Sequence, residues 1–300
     1  MAGFDVIVCG SLHYDIVVDA PRLPVLDETL PGTHWQPVFG GKGRNQAVAA
    51  RLFGAETAMI GRVGNDDFGA ALTADLMARG VSADHVATVD DAGSGMSVAI
   101  VDKNGDYGAV IVSGANLTLS ADVVQQAMRA LGPAKVGLIQ NEIPEAANLA
   151  FARVCRASGA TTLFNAAPAR ASDPALLAAV NVLIVNRVEA AMLAGEAVGT
   201  EIDAGRLVAT LAETVATVIV TLGPDGALLH EAGQTVHIPG ERVAVASTHG
   251  AGDAFAGALA ARLAAGDAME PAVRYANRAA ARIVATPPAE RAALTLSDFG

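Results

Sequence analysis

Lys135-Val136-Gly137-Leu138-Ile139-Gln140-Asn141-Glu142 is followed by a stretch from Glu145 to Ala157 and then by Thr161-Thr162-Leu163-Phe164. The first run is short and apolar and ends in polar residues, the middle has apolar residues at helical spacing, and the last is again short, apolar and partly β-branched. Strand, helix and strand in this order predict two parallel strands joined by a crossover helix. The alternation continues outward in both directions. Strand candidates lie at Phe4 to Cys9, Thr57 to Ile60, Asn181 to Val185 and Thr217 to Thr221. Helix candidates lie at Asn45 to Leu52, Phe68 to Arg79, Ala121 to Leu131, Val188 to Ala194, Ala204 to Leu211, Gly252 to Ala265 and Pro271 to Ala285. The pattern predicts an α/β fold with a mainly parallel sheet flanked by helices.

Two segments break this rhythm. Tyr14 to Val38 is turn-rich, and Met96 to Val101 pairs by pattern with Tyr107 to Val112 through Asp102-Lys103-Asn104-Gly105-Asp106. Strand signals without an intervening helix predict antiparallel β pieces, here a small β lid made of segments about 12–38 and 93–113. There is no internal repeat, low-complexity tract or linker, so residues 1–300 read as one domain.

Composition narrows the function classes. The 300 residues are 52% hydrophobic but only 4% aromatic, enough for a large core of Ala, Val, Leu and Ile without disulfide or metal support. The formal net charge of −11 repels nucleic-acid backbones and anionic membrane surfaces. Cys9 and Cys155 fit neither a disulfide framework nor paired zinc spacing, which suits a reducing compartment. No basic residue stands between Met1 and Arg22 to begin a signal peptide, and no apolar run reaches the roughly eighteen residues of a membrane span, so a cytoplasmic protein is expected.

In open α/β sheets ligands bind beyond the carboxyl ends of the strands. Those ends are unusually polar here: Gly10, Ser11, His13 and Asp15; Gln140-Asn141-Glu142; Asn165; Asn186 and Glu189; and Thr221-Leu222-Gly223-Pro224-Asp225-Gly226. Gly250-Ala251-Gly252-Asp253 opens an Ala-rich helix, where bare amides and the helix dipole suit an anion such as a phosphoryl group. Two readings fit Asp253: a helix-capping acid, or a base that deprotonates a hydroxyl attacking that group. Phe39-Gly40-Gly41-Lys42-Gly43-Arg44-Asn45-Gln46 also has two readings. It is a flexible connector, or a place where a ligand approaches the main chain while Lys42 and Asn45 donate to sugar oxygens.

Several motifs fail on spacing. A Walker loop would need Gly at Gln36 and Ser or Thr at Gly43, and the dinucleotide fingerprint is broken by Phe255. His230-Glu231 lacks a second His at metalloprotease spacing, since His237 comes too late.

Taken in order, Gly10-Ser11 with Asp15, Gly40 to Gly43 with Asn45-Gln46-Ala47, Asn165-Ala166-Ala167-Pro168-Ala169, Asn186 with Glu189, Thr221-Leu222-Gly223 with Gly226, and Gly250 to Asp253 add up. The chain resembles the ribokinase-like (PfkB) family of ATP-dependent carbohydrate kinases over nearly its whole length. The resemblance implies transfer of a phosphoryl group from ATP to a primary hydroxyl of ribose or a similar small sugar, with a nucleoside or another carbohydrate as the alternative acceptor. It implies Asp253 as catalytic base and the amides of Gly250, Ala251 and Gly252 as the anion hole. Asp15, Gly41, Lys42, Asn45 and Glu142 match positions that hold ribose hydroxyls. Asn186, Thr221, Gly223, Gly226 and Gly252 would face ATP, Asn277 would lie near adenine, and Glu189 would position Mg2+ through water. The lid would also carry a homodimer contact. A non-catalytic sugar-binding protein of this fold would keep Asp15 and Asn45 but has no use for Asp253.

Three positions depart from the family pattern. His13 replaces an Asn and is expected to alter which hydroxyl pattern is accepted. Ser247 replaces the first acid of D-T-x-G-A-G-D, and Thr286-Pro287-Pro288-Ala289 replaces a Gly-containing loop. Both losses weaken a monovalent-cation site, so potassium activation is expected to be weak or absent.

Overall fold

Val6-Ile7-Val8-Cys9 is four residues long and wholly buried, with Val6 and Val8 packed in one hydrophobic cluster and Ile7 and Cys9 in another. This alternation is what a strand covered by helices on both faces requires. In the computed structural model, which describes residues 3–104, 106–196 and 203–299, that strand lies in the interior of a large sheet. In chain order the elements are β1 (Val6–Cys9), β2 (His13–Asp19), β3 (His34–Gly40), α1 (Lys42–Leu52), β4 (Thr57–Gly64), α2 (Asp67–Ala78) and β5 (Ser82–Val89). Next come β6 (Met96–Val101), β7 (Tyr107–Val112), α3 (Ala121–Leu131), β8 (Val136–Gln140), α4 (Glu145–Ser158), β9 (Thr161–Asn165) and α5 (Pro174–Ala179). The chain continues through β10 (Val182–Asn186), α6 (Arg187–Leu193), α7 (Ala204–Ala212), β11 (Thr217–Thr221), β12 (Ala227–Glu231), β13 (Gln234–Ile238), α8 (Ala251–Ala264) and α9 (Met269–Ala285).

The nine-stranded sheet runs β13-β12-β11-β10-β9-β8-β1-β4-β5 and is parallel from β11 to β5, with β12 and β13 antiparallel at one edge. Helices α1, α2, α8 and α9 contribute to one core, and α3 to α7 to the other. From β1 the chain builds outward through β4 and β5, then returns to place β8 on the opposite side of β1. The strand order therefore reverses between β1 and β8, and a crevice opens at their carboxyl ends. Among the described residues no helix is long and apolar enough to cross a membrane.

The small second sheet has the order β3-β2-β6-β7 and uses the segments expected for it. It is mixed rather than wholly antiparallel, because β2 and β6 pair in parallel. The reason is local: β2 follows β1 and β6 follows β5, two parallel strands whose carboxyl ends share a rim, so both leave the body in the same direction. Tyr107 to Val112 pairs with Met96 to Val101 as a hairpin, while Gly105 of its connector lies outside the described residues. The strands β5, β12 and β13 and the short helix α5 are additions to the sequence pattern. In β5 only Ala83 and Val86 are buried, three residues apart across a register shift, so its run Ser82-Ala83-Asp84-His85-Val86 shows no continuous apolar signal. β12 and β13 turn through Ala232 and Gly233, both at positive φ (51° and 78°), as a two-residue hairpin loop demands.

Helices α1 and α8 meet at Gly257. A Cβ there would stand 2.5 Å from Ala49 Cβ, 2.7 Å from Ala50 N and 2.8 Å from Gln46 O. Only a hydrogen fits. Gly257→Ala should therefore lower stability by about 1–3 kcal/mol through overpacking. The expected result is a lower urea midpoint with an unchanged slope.

Candidate active site

Helix α1 begins three residues earlier than its apolar period suggests, because groups from neighbouring strand ends satisfy its first amides. Glu142 accepts from Lys42 N at 2.8 Å, Ser11 Oγ accepts from Gly43 N at 3.3 Å, and Ser11 O accepts from Arg44 N at 2.9 Å. The Ser11 hydroxyl in turn donates to Glu142. Here the glycines bring main chain against main chain. A Cβ on Gly41, whose φ is 87°, would meet His13 N and Leu12 Cα at 2.8 Å, and one on Gly43 would meet Ser11 N at 2.5 Å. This packing fixes the α1 start against the β1–β2 turn.

The site's electrostatics centre on Asp253, in the first turn of α8 and 9% exposed. Gln46 Nε2 donates to Oδ1 at 3.0 Å and Asn45 Nδ2 to Oδ2 at 3.2 Å, so consecutive α1 residues each hold one carboxylate oxygen. Both amides are themselves oriented. Gln46 Oε1 accepts from Gln140 Nε2 at 2.7 Å, and Gln46 Nε2 also donates to Asn165 Oδ1 at 3.0 Å. Asn45 Oδ1 accepts from Arg44 Nη1 at 3.0 Å, and Arg44 is buried in an ion pair with Asp75. Burial pushes the Asp253 carboxyl above the usual range, while the Lys42 charge and the two amide donors pull it back. The outcome is a carboxylate with raised basicity that is still held in one geometry.

Ahead of Asp253, Gly250 takes a left-handed φ of 78° and no side chain caps the helix start. Ala251 N reaches only Thr248 O at 3.3 Å, and a Cβ on Gly252 would meet nothing within 4 Å. The first amides of the helix have no intrahelical acceptors, so an open helix start of this kind is suited to an anion. A cavity of about 770 Å³ opens beside it, lined among others by Thr221, Gly223, Gly226, Gly252 and Asn277. Asn277 turns part of its amide away, donating to Ile238 O at 3.4 Å. Asn186 is not among the cavity's lining residues. It forms a reciprocal cap with Glu189, Asn186 Oδ1 accepting from Glu189 N at 2.9 Å and Glu189 Oε2 accepting from Asn186 N at 2.8 Å. Burial raises the Glu189 carboxyl, Lys42 lowers it and Asp253 raises it further, so Lys42 is electrostatically coupled to both acids.

The small sheet carries the remaining candidates. Asp15 pairs in register with Val38 and Ser97, and its carboxylate accepts from Ser97 Oγ. A Cβ on Gly40 would lie 2.0 Å from Asp15 Oδ2, so any side chain there would push the carboxylate out of this position. His13 is 5% exposed and its Nε2 has no hydrogen-bond partner.

Asp253, Asn45, Lys42 and Glu142 are thus gathered around the α1 start, with Asp15 and His13 on the sheet beside it. Sequence reasoning missed Gln46 and Arg44 as the groups that aim at Asp253 and at Asn45. Gln46 had a signal, an amide next to Asn45 in the first turn of α1. The role of Arg44 depends on Asp75, which no local pattern connects to it.

Residues 4–294 match the family described as pfkB family carbohydrate kinase. The chain is 39% identical to the ribokinase of Mus musculus over 86% of this chain and 81% of the relative. It is 36% identical to the ribokinase of Bacillus subtilis over 92% of this chain and 91% of that one. The solved structure of Arabidopsis thaliana ribokinase complexed with ribose and ATP superposes with a TM-score of 0.89 at 27% identity, covering 99% of this chain and 98% of that chain.

The raised carboxyl of Asp253 has a consequence for stability. The folded state keeps the proton to higher pH than the unfolded chain does, so stability falls as pH rises from the ordinary carboxylate range through the raised folded value, and the penalty persists above it. Asp253→Asn should therefore melt higher than wild type at pH 7, by about 2–4 °C per kcal/mol recovered. The gain should shrink as the pH is taken down toward about 4. Melting curves across that range check both the sign and the window.

Proposed function

Because the chain belongs to the pfkB family of carbohydrate kinases, we propose that it transfers the γ-phosphoryl group of ATP to a primary hydroxyl of ribose or a closely similar small sugar. The observation that carries this reading is the buried Asp253 carboxylate, gripped by Asn45 and Gln46 and set in the first turn of a helix whose start no side chain caps. Asp253 accepts the hydroxyl proton as the sugar oxygen bonds to the γ-phosphorus, and the bond from that phosphorus to the β–γ bridging oxygen breaks to leave ADP. The amides of Gly250, Ala251 and Gly252 stabilise the charge on the phosphoryl oxygens as it redistributes. Asp15, Asn45 and Glu142 present carboxylates and an amide to the sugar hydroxyls, as dense sugar recognition requires. Gly41 and Lys42 shape the same wall.

The ~770 Å³ cavity is our candidate for the nucleotide, with Thr221, Gly223, Gly226, Gly252 and Asn277 along it and Asn186 paired in register with Thr221 on the next strand. The donor set fits magnesium. Among the described residues no cluster of three His, Cys, Asp or Glu side chains could hold a metal, so the ion's ligands would be phosphate and water oxygens, with Glu189 accepting a hydrogen bond from one of those waters. When bound, the ion supplies charge neutralisation at the transferred group.

The four-stranded sheet is read as a lid on a single domain, closing over the sugar to exclude water that would otherwise compete as acceptor. Val110, Ile111 and Val112 on the edge strand β7 are exposed, an apolar edge suited to a second copy of the chain, and Trp35 is exposed on β3 at the opposite edge.

Asp253→Asn keeps the shape and removes the basicity. Turnover should fall by roughly 10²- to 10⁴-fold with sugar KM changed far less. ADP release over pentoses, hexoses and nucleosides is the assay, and turnover within a few-fold of wild type would remove Asp253 from this role. In the same panel His13→Asn should reorder kcat/KM among sugars, since the unpartnered Nε2 is exchanged for an amide. An unchanged ranking would make His13 a packing residue.

A further inference from the structure

The segment Ser247-Thr248-His249 that leads into the Gly250 turn carries no carboxylate, and two of its carbonyl oxygens face one side chain. That side chain is Arg291, on the short 3-10 turn Pro288–Ala293 beyond α9. Its Nη1 donates to His249 O at 2.7 Å, its Nη2 to Ser247 O at 2.8 Å and its Nε to Thr286 O at 3.0 Å. One planar cation thus binds three main-chain carbonyls from two segments, lying 44, 42 and 5 residues before it in the chain. A Cβ on Gly250 would come within 3.8 Å of Nη1, so the charge lies against the first residue of the anion-binding turn. Among the described residues no carboxylate forms an ion pair with Arg291, which leaves that charge uncompensated by the protein.

Carbonyl oxygens that converge from separate segments are also what binds a bare monovalent cation. A guanidinium satisfies the same oxygens through a rigid fork and does not dissociate. We propose that Arg291 is a built-in cation, which ties the Ser247–His249 segment to the Thr286 loop, holds the Gly250 turn in its anion-binding shape and places a fixed positive charge behind it. Arg291 is then a positioning residue, acting on the phosphoryl group through the turn. The inference rests on the kinase reading of that turn. It gives potassium independence a cause beyond the missing acid at Ser247: the oxygens a metal ion would use already have a partner.

The test compares wild type, Arg291→Ala and Arg291→Gln in choline chloride, potassium chloride, and choline chloride with added guanidinium at matched ionic strength, reading initial rates at saturating sugar and Mg-ATP and melting temperatures. Wild-type rates should agree within about twofold in potassium and choline, while Arg291→Ala should lose about tenfold or more in kcat with sugar KM within about threefold. Potassium or guanidinium should restore several-fold of that loss, and potassium should raise the melting temperature of the variant but not of wild type. Should Arg291→Ala fail to fold, Arg291→Gln, which keeps an amide donor without the charge, must show the same response. Full kcat in a folded variant, a loss that neither cation repairs in rate or melting, or a tenfold stimulation of wild type by potassium would each overturn the proposal. If wild type phosphorylates nothing in the panel, the kinase reading fails. The cation response of the melting temperatures still decides whether Arg291 occupies a cation's place.

Discussion

The hydrogen bonds from Gln46 and Asn45 to the two oxygens of Asp253 join helix α1 to helix α8, and most of the site's geometry follows from keeping that join intact. A carboxylate removed from water must be partnered or it takes up a proton. The partners here are neutral amides, supplemented by the nearby charge of Lys42, so the group is held without a salt bridge that would make it a poor base. For two adjacent α1 side chains to reach it, the helices must approach closely, and Gly257 with Ala49 and Ala50 permits that approach. The Ala-rich composition of both helices therefore has a geometric purpose at this crossing.

The rest of the fold sets where that crossing lies. Reversal of strand order between β1 and β8 opens the crevice, and the two strand ends then supply Ser11 and Glu142 to cap α1. The same turn after β1 sends β2 out of the body as the first strand of the small sheet, carrying His13 and Asp15. One short stretch of chain from Gly10 to Asp15 thus belongs to the sheet end, to the helix start and to the small sheet at once. On the opposite flank, the Gly250 turn is supported from behind by a residue near the chain's end, Arg291, and faces the large cavity in front.

How much of this was legible in the sequence depended on range. Parallel strands such as Val136 to Gln140, continuous in apolar character because helices cover both faces, were readable at once, and so were the glycine-rich helix starts. Edge elements were not: β5 is covered on one side only, and β12 and β13 alternate in burial, so neither gives a run long enough to stand out. The parallel pairing of β2 with β6 joins residues more than eighty apart, which a hairpin pattern cannot express. Asp253 and Asn45 could be named because short local motifs carry them. Arg44 acts through Asp75 and Arg291 through carbonyls of a distant loop, and a side chain that works by reaching across the fold leaves no mark near itself.

The carboxylate of Asp15 lies over Gly40 and binds Ser97, entirely within the small sheet, whereas Asp253 is locked between two tightly packed helices. The two halves of the site consequently differ in their freedom to change over generations. Replacements on the exposed strands alter one face of a small second sheet, while replacements at the helix crossing meet backbone within three ångströms. A duplicated copy of this gene would find the first route open and the second nearly closed. Its descendants would diversify in what they accept long before they changed what they do to it.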